Sequence, residues 1–173
     1  MVTTKSYTFS DVAANHTISA EFEIMTYAIH FAGIGSSDGL IYYKVGTGNW
    51  TLVEPGIGTT VNIAHGSTLQ IKVEDVAVGK AFDRFSYIGE DDTPIGGSTD
   101  NPATFTISAA GQITTRLVTV TTYTITATAG THGSISPSGT VTLNAGSSQT
   151  FVVTADANYV ISQILVDGSP IQL

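Results

Sequence analysis

Apolar and polar residues alternate along most of this chain, with the period of two that marks strands half buried in a sheet. Tyr7 and Phe9, then Ile18, Ala20 and Phe22, keep that period on either side of a break at residues 11–15. Residues 6–10 and 16–23 are therefore expected to form a hairpin, with Val12 tucked beneath its loop. Met25, Tyr27, Ile29 and Phe31 continue the alternation, so a further strand follows Phe22 with almost no linker.

Beyond the glycine-rich loop at residues 33–39, paired strands are expected at LIYYKV and WTLVE, then at TTVNIA and LQIKVEDV, with turns at residues 46–49, 55–58 and 65–67. Residues 76–84, VAVGKAFDR, are the one candidate for a short helix, although Gly79 weakens it. RFSYIG resumes the strand pattern. Residues 90–102, with three Asp, two Pro and an adjacent Gly pair, are expected to form a loop, and ATFTISAAGQITTRLV returns to strand. From Val118 the alternation runs unbroken into residues 123–173, a strand-rich stretch punctuated by turns at 130–133, 137–139, 144–146 and 167–168. Nowhere is a helical period sustained. The fold class expected is all-β: small β-rich units resembling a β-sandwich or a β-grasp.

A comparison of the two halves at an offset of 80 exposes an internal repeat. Residues 60–67, TVNIAHGS, match residues 140–147, TVTLNAGS, and Ile71 and Val73 fall on Phe151 and Val153. At an offset one residue shorter, Phe82, Phe85, Tyr87 and Gly89 fall on Ile161, Ile164, Val166 and Gly168. The second unit then stops at Leu173, whereas the first continues into TFTISAAGQITTRLV. That continuation matches residues 8–22, TFSDVAANHTISAEF, with Phe105 on Phe9, Ile107 on Val12 and Ile113 on Ile18. The end of the second unit is thus expected at the N-terminus. Three parts follow: a hairpin at 1–23, a complete β-repeat at 24–120 and an incomplete one at 121–173. Self-similarity at a fixed spacing is the signature of repeat architectures.

Residues 133–141 with the preceding His132, HGSISPSGTV, together with NYVISQILVDG and YTFSDVAANHTISAEF, resemble the divergent internalin-type B-repeat found in tandem on bacterial and archaeal cell-surface proteins. The likeness is closest over residues 123–173 and 6–23 and looser over 24–117. It implies small extracellular β-modules that serve as spacers or adhesive segments and carry no catalytic residues. This chain departs from the family in presenting one repeat tail first.

Composition agrees with the strand reading and narrows function. Charged residues make up only 12% of the 173, and six Lys and Arg stand against 14 Asp and Glu, a net charge of −8. Such a balance repels phosphate backbones, so no nucleic-acid partner is expected. Cysteine is absent, which excludes disulfides and thiolate chemistry within the sequence. No apolar run approaches the roughly 20 residues that span a bilayer as a helix. The opening MVTTKSYTF lacks the apolar core of a signal peptide, leaving a mature exported form or a cytosolic protein as readings.

Candidate chemistry is sparse. His16, His30, His65 and His132 lack zinc-ligand spacing, and neither a GxSxG elbow nor a phosphate-binding loop is present, so no enzyme activity, cofactor or metal is expected. Glu90, Asp91 and Asp92, with Asp100 and Asn101 beyond the Gly pair, could gather oxygen ligands for calcium, but they lack the alternating spacing of a calcium loop and are expected to be a solvated acidic loop. Asn15 and Asn49 lie in N-glycosylation sequons, which makes a surface glycan a candidate partner. Tyr42 or Tyr43, but not both, could share an exposed face with Trp50 as a sugar platform, since neighbours on a strand point to opposite sides.

The functional expectation is self-assembly. Tyr7, Phe9, Val12, Ile18, Ala20 and Phe22 are the donor residues, and Tyr123, Ile125, Val141, Leu143, Phe151, Val153, Ile161, Ile164 and Val166 the acceptor residues. Donation to the next copy builds an open head-to-tail filament or surface layer outside the cell. Return of the segment to its own chain, and a window cut from a longer repeat array, fit the same order of residues. The competing class is a non-polymerising adhesin or carbohydrate-binding spacer at the cell surface.

Overall fold

The structure, a computed structural model, describes residues 4–171. It is all-β, with no helix among the described residues. The strands are β1 (Thr26–Phe31), β2 (Leu40–Val45), β3 (Thr51–Leu52), β4 (Thr59–Ala64), β5 (Thr68–Glu74), β6 (Lys80–Gly89), β7 (Pro94–Ser98), β8 (Ala103–Thr106) and β9 (Gly111–Thr119). They are followed by β10 (Thr122–Ala127), β11 (Gly133–Ser136), β12 (Gly139–Asn144), β13 (Val152–Ala155), β14 (Ile164–Val166) and β15 (Ser169–Ile171).

The first nine strands form two sheets, ordered β4-β1-β9-β6-β7 and β3-β2-β5-β8. Their inner faces meet in one core, to which the five-stranded sheet contributes Ile29, Phe31, Ile63, Phe85, Tyr87 and Ile113. The four-stranded sheet contributes Ile41, Leu69, Ile71, Val73, Ala103 and Phe105. This is a β-sandwich, and alternation puts the β-branched and aromatic residues inside because each strand buries one face only. The middle strand is β9, parallel to β1 through Ile29–Gly111 and Phe31–Ile113 and antiparallel to β6 through Tyr87–Ile113 and Phe85–Thr115.

Four expectations are corrected. TTVNIA and LQIKVEDV do not pair with each other: β4 lies beside β1 in one sheet and β5 between β2 and β8 in the other. Residues 76–84 form no helix: Ala77 to Lys80 is a turn closed by the Lys80 amide on the Ala77 carbonyl, with Gly79 at φ +86°, and β6 starts at Lys80. Within β6 a bulge at Asp83 turns the Phe82 and Phe85 rings to one side, 4.6 Å apart. The loop expected at 90–102 contains β7, an edge strand that begins at Pro94, a position where the missing N–H costs no ladder bond. Gly96 within it lies under the Phe105 ring.

The fourth correction concerns the N-terminal hairpin. Residues 4–25 hold no strand. Asp11 turns the chain at φ +49°, and Phe9 comes back to stack on His16 with ring centroids 5.0 Å apart, but no ladder joins the two arms. The segment has apolar residues at strand spacing and no sheet to bury them against.

Candidate assembly surface

Strands β10 to β15 stay in three separate two-stranded ladders, β10·β12, β11·β13 and β14·β15. Each ladder has a counterpart in the sandwich. Thr122–Asn144, Tyr123–Leu143 and Ile125–Val141 are paired as Thr26–Ala64, Tyr27–Ile63 and Ile29–Val61 are. Ile135 faces Val153 as Ile41 faces Val73, and Ile164 and Val166 face Ile171 and Ser169 as Phe85 and Tyr87 face Ser98 and Gly96.

The turns agree as well. The Ala145 amide reaches the Thr121 carbonyl as the His65 amide reaches that of Met25, and Tyr159 closes on Asp156 as Lys80 closes on Ala77. Gly39 and Gly133 stand where a Cβ would press on a carbonyl of the partner strand, that of Glu74 at 3.2 Å and that of Thr154 at 2.9 Å.

What differs is cover. In the sandwich, β9 separates β1 from β6 and β8 flanks β5, and Ile29, Phe85 and Tyr87 are sealed. Among residues 122–171 no strand occupies either of those places. Ile125 is 42% exposed where Ile29 is 0%, and Val166 is 52% exposed where Tyr87 is 1%. Tyr123 and Ile161 are exposed too, while Val141, Leu143, Phe151, Val153 and Ile164 are half-buried. Ala127 alone of this half is buried.

The donor residues mirror this. Tyr7, Phe9, Val12, Ile18, Ala20 and Phe22 are all exposed, Phe22 at 93%. Their counterparts in β8, β9 and the loop between are Phe105, Ile107 and Ile113, which are buried, and Thr115, whose hydroxyl is buried without a hydrogen-bond partner. The residues expected to donate and most of those expected to accept are thus exposed or only half-buried in the single chain.

One connection between the two halves was not anticipated. The Asn144 side chain at the end of β12 accepts from the Gly79 amide at 2.6 Å and donates to the Lys80 carbonyl at 2.8 Å, while the Gly79 carbonyl accepts from Val120. A second bidentate asparagine, Asn101, binds both the amide and the carbonyl of Val73. Asn144 was legible only as a departure from the repeat, because Ala64 stands in its place.

The sandwich also fixes two distant ends. Thr26 lies three residues before Ile29 on β1, and Thr119 lies eight residues after Gly111 on β9, the residue paired with Ile29. Because the pair is parallel, the entry to β1 and the exit from β9 are eleven strand residues apart, about 36 Å at strand rise.

Elsewhere the surface offers little chemistry. Tyr42 and Trp50 do share the outer face of the four-stranded sheet, while Tyr43 points inward onto Phe31. Lys72 lies over both outer rings, 5.2 and 4.6 Å from their centroids, and Lys44 is 5.0 Å from that of Trp50, so ammonium groups occupy the faces on which a sugar would stack. Asp91 accepts from the hydroxyl and the amide of Thr93, which holds its carboxyl below the usual range. Among the described residues no group of three His, Asp or Glu is placed to hold a metal ion, and no helix is long and apolar enough to cross a membrane. Asn15 and Asn49 are both exposed. Comparison with protein-family models, with curated proteins and with solved structures finds no match to this chain.

Proposed function

We propose that this chain is a structural subunit of the cell exterior that joins copies of itself head to tail, its N-terminal segment completing residues 122–171 of a neighbour. The observation that carries the reading is the shared register of β10·β12 and β1·β4 combined with the unequal cover over them. A half that repeats the sandwich ladder for ladder, yet leaves Ile125 and Val166 open, presents unpaired edges to another strand. Residues 7–22 bring the residue types that β8 and β9 bring to the sandwich. No catalysis is part of the role, and glycans at Asn15 and Asn49 would decorate such a surface.

The partner is another copy because the segment enters β1 directly. Residues 23–25 reach about 10 Å when fully extended. The second half is attached at the opposite end of the sandwich, where Val120 and Asn144 meet Gly79, so the chain's own segment falls short of it. Each copy therefore gives at one end and receives at the other, which propagates as an open file. Burying Tyr7, Phe9, Ile18 and Phe22 contributes roughly 6–12 kcal/mol before the cost of ordering the segment.

Negative-stain electron microscopy with light scattering of the full chain tests this. Filaments that vanish when residues 1–23 are removed are expected. A full chain that stays monomeric at high concentration would sink the reading.

A further inference from the structure

Resting on that reading, we infer the register of the joint: residues 16–22 of one copy lie between β10 and β14 of the next, parallel to β10 and antiparallel to β14, while residues 7–10 pair antiparallel with residues 148–151, just before β13. The pairings follow from those of β9 and β8. Phe31–Ile113 in the sandwich becomes Ala127–Ile18, and Tyr87–Ile113 becomes Val166–Ile18. Phe85–Thr115 becomes Ile164–Ala20, and Phe82–Leu117 becomes Ile161–Phe22. On the other sheet, Ile71–Ala103 becomes Phe151–Tyr7.

The acceptor is already shaped for this. In the sandwich the Gly66 amide and the Ser67 carbonyl hold the two backbone groups of Ile107, which is fully buried between β8 and β9. Gly66 has φ +78° and the turn is closed by Ser67 on Ala64 at 3.1 Å. Gly146 has φ +82°, and Ser147 closes the same turn on Asn144 at 3.0 Å. The backbone that would hold Val12, the counterpart of Ile107, is thus formed before the segment arrives. The turn that would receive Val12 needs no rearrangement, which lowers the entropic cost of docking.

The pairings also resolve the size differences. Where the sandwich places the small Ala103 against Ile71, the joint places the large Tyr7 against Phe151, on an edge with no further strand to crowd it. Where Thr115 buries an unpaired hydroxyl, the segment supplies Ala20. One position on the inner side is polar: Gln149 replaces Leu69 opposite Phe9.

Cysteine pairs read the register, since the chain has none of its own. Ser86 faces Thr114 on the outer side of the sandwich, which places Leu165 opposite Ser19 in the joint. Directly opposed strand residues have Cα atoms about 4.5–5.5 Å apart, within disulfide reach, whereas a diagonal neighbour lies beyond it. The chain carrying Ser19→Cys and Leu165→Cys, oxidised after assembly, is expected to run as a ladder of covalent multimers on non-reducing denaturing gels. The chain carrying Ser19→Cys and Gln163→Cys is expected to stay a single band. Filaments with no ladder from the first pair, or with a stronger ladder from the second, overturn the register and leave the assembly reading standing. A disulfide closed within one chain overturns the register as a contact between copies. Absence of filaments from the parent chain removes the assembly reading, and the register with it.

Discussion

Ile29 lies beside Gly111 in the one parallel pairing among the described strands, and through it β9 locks β1 to β6 across the middle of the sandwich. The equivalent isoleucine on β10, Ile125, has no such neighbour. Ile29→Ala is expected to cost about 2–5 kcal/mol in denaturant unfolding of the chain below its assembly concentration. Ile125→Ala under the same conditions is expected to cost well under 1 kcal/mol, and to shorten or abolish filaments. Equal costs for the two would show that Ile125 is already sealed within one chain.

A free peptide spanning residues 6–24 should compete for the joint. In excess over the full chain it is expected to shorten the filaments, and to slow amide hydrogen exchange in β10 and β14 of the chain lacking residues 1–23. The same peptide with Ile18→Asp should do neither, because it would bury an unpaired carboxylate.

Thr115 is a site for stabilisation. Its buried hydroxyl has no partner, so Thr115→Val removes a desolvation cost while keeping the branched shape. Thermal unfolding should show a gain of about 1 kcal/mol. A loss of similar size would mean that the hydroxyl is bonded in solution.

Tyr87 gives the sandwich a response to alkali. Burial is the main cause that pushes its phenol above the ordinary value of 10.0, and in the folded state the hydroxyl donates to the Ala109 carbonyl. With the folded state holding its proton more tightly than the unfolded state, this contribution is fully present below pH 10 and is lost as pH rises through the folded pKa. Unfolding followed between pH 8 and 12 should show stability falling from about pH 10. Tyr87→Phe should flatten that fall by the share of one proton, at a cost near 1 kcal/mol at neutral pH.

The two bidentate asparagines make a matched pair. Asn101→Ala leaves the Val73 amide and carbonyl unpaired at the edge of the core and is expected to destabilise the sandwich by about 1–3 kcal/mol. Asn144→Ala should leave the sandwich midpoint unchanged and instead speed hydrogen exchange at the Gly79 amide. A lowered midpoint would show that the second half supports the first.

The all-β fold was legible because alternation and turn residues agree over most of the chain, and residues 60–64 and 140–144, alike in sequence, lie in ladders of corresponding register. Three features were hidden by local chemistry. The helix expected at 76–84 ran into the start of β6 and its bulge at Asp83, and two adjacent glycines disguised β7, where the Phe105 ring packs on Gly96. Residues 6–23 have a hairpin's pattern but no sheet of their own, and a two-stranded hairpin is marginal without a third strand or a core to rest on. The Asn144 clamp could not be foreseen, because its partners are the amide and carbonyl of Gly79 and Lys80, backbone groups that side-chain pattern does not announce.

That clamp carries a mechanical consequence. Inside each chain the link between halves is bolted by Asn144 onto Gly79 and Lys80. In the proposed joint between copies the matching backbone would be that of Asn158 and Tyr159, Asn158 sharing the positive φ of Gly79, and the residue in Asn144's position would be Ala64, whose methyl group can neither donate nor accept. A thread built as proposed would therefore alternate stiff and compliant links, concentrating its bending at every second one. Under shear it would flex at the boundaries between subunits while each pair of halves keeps its angle.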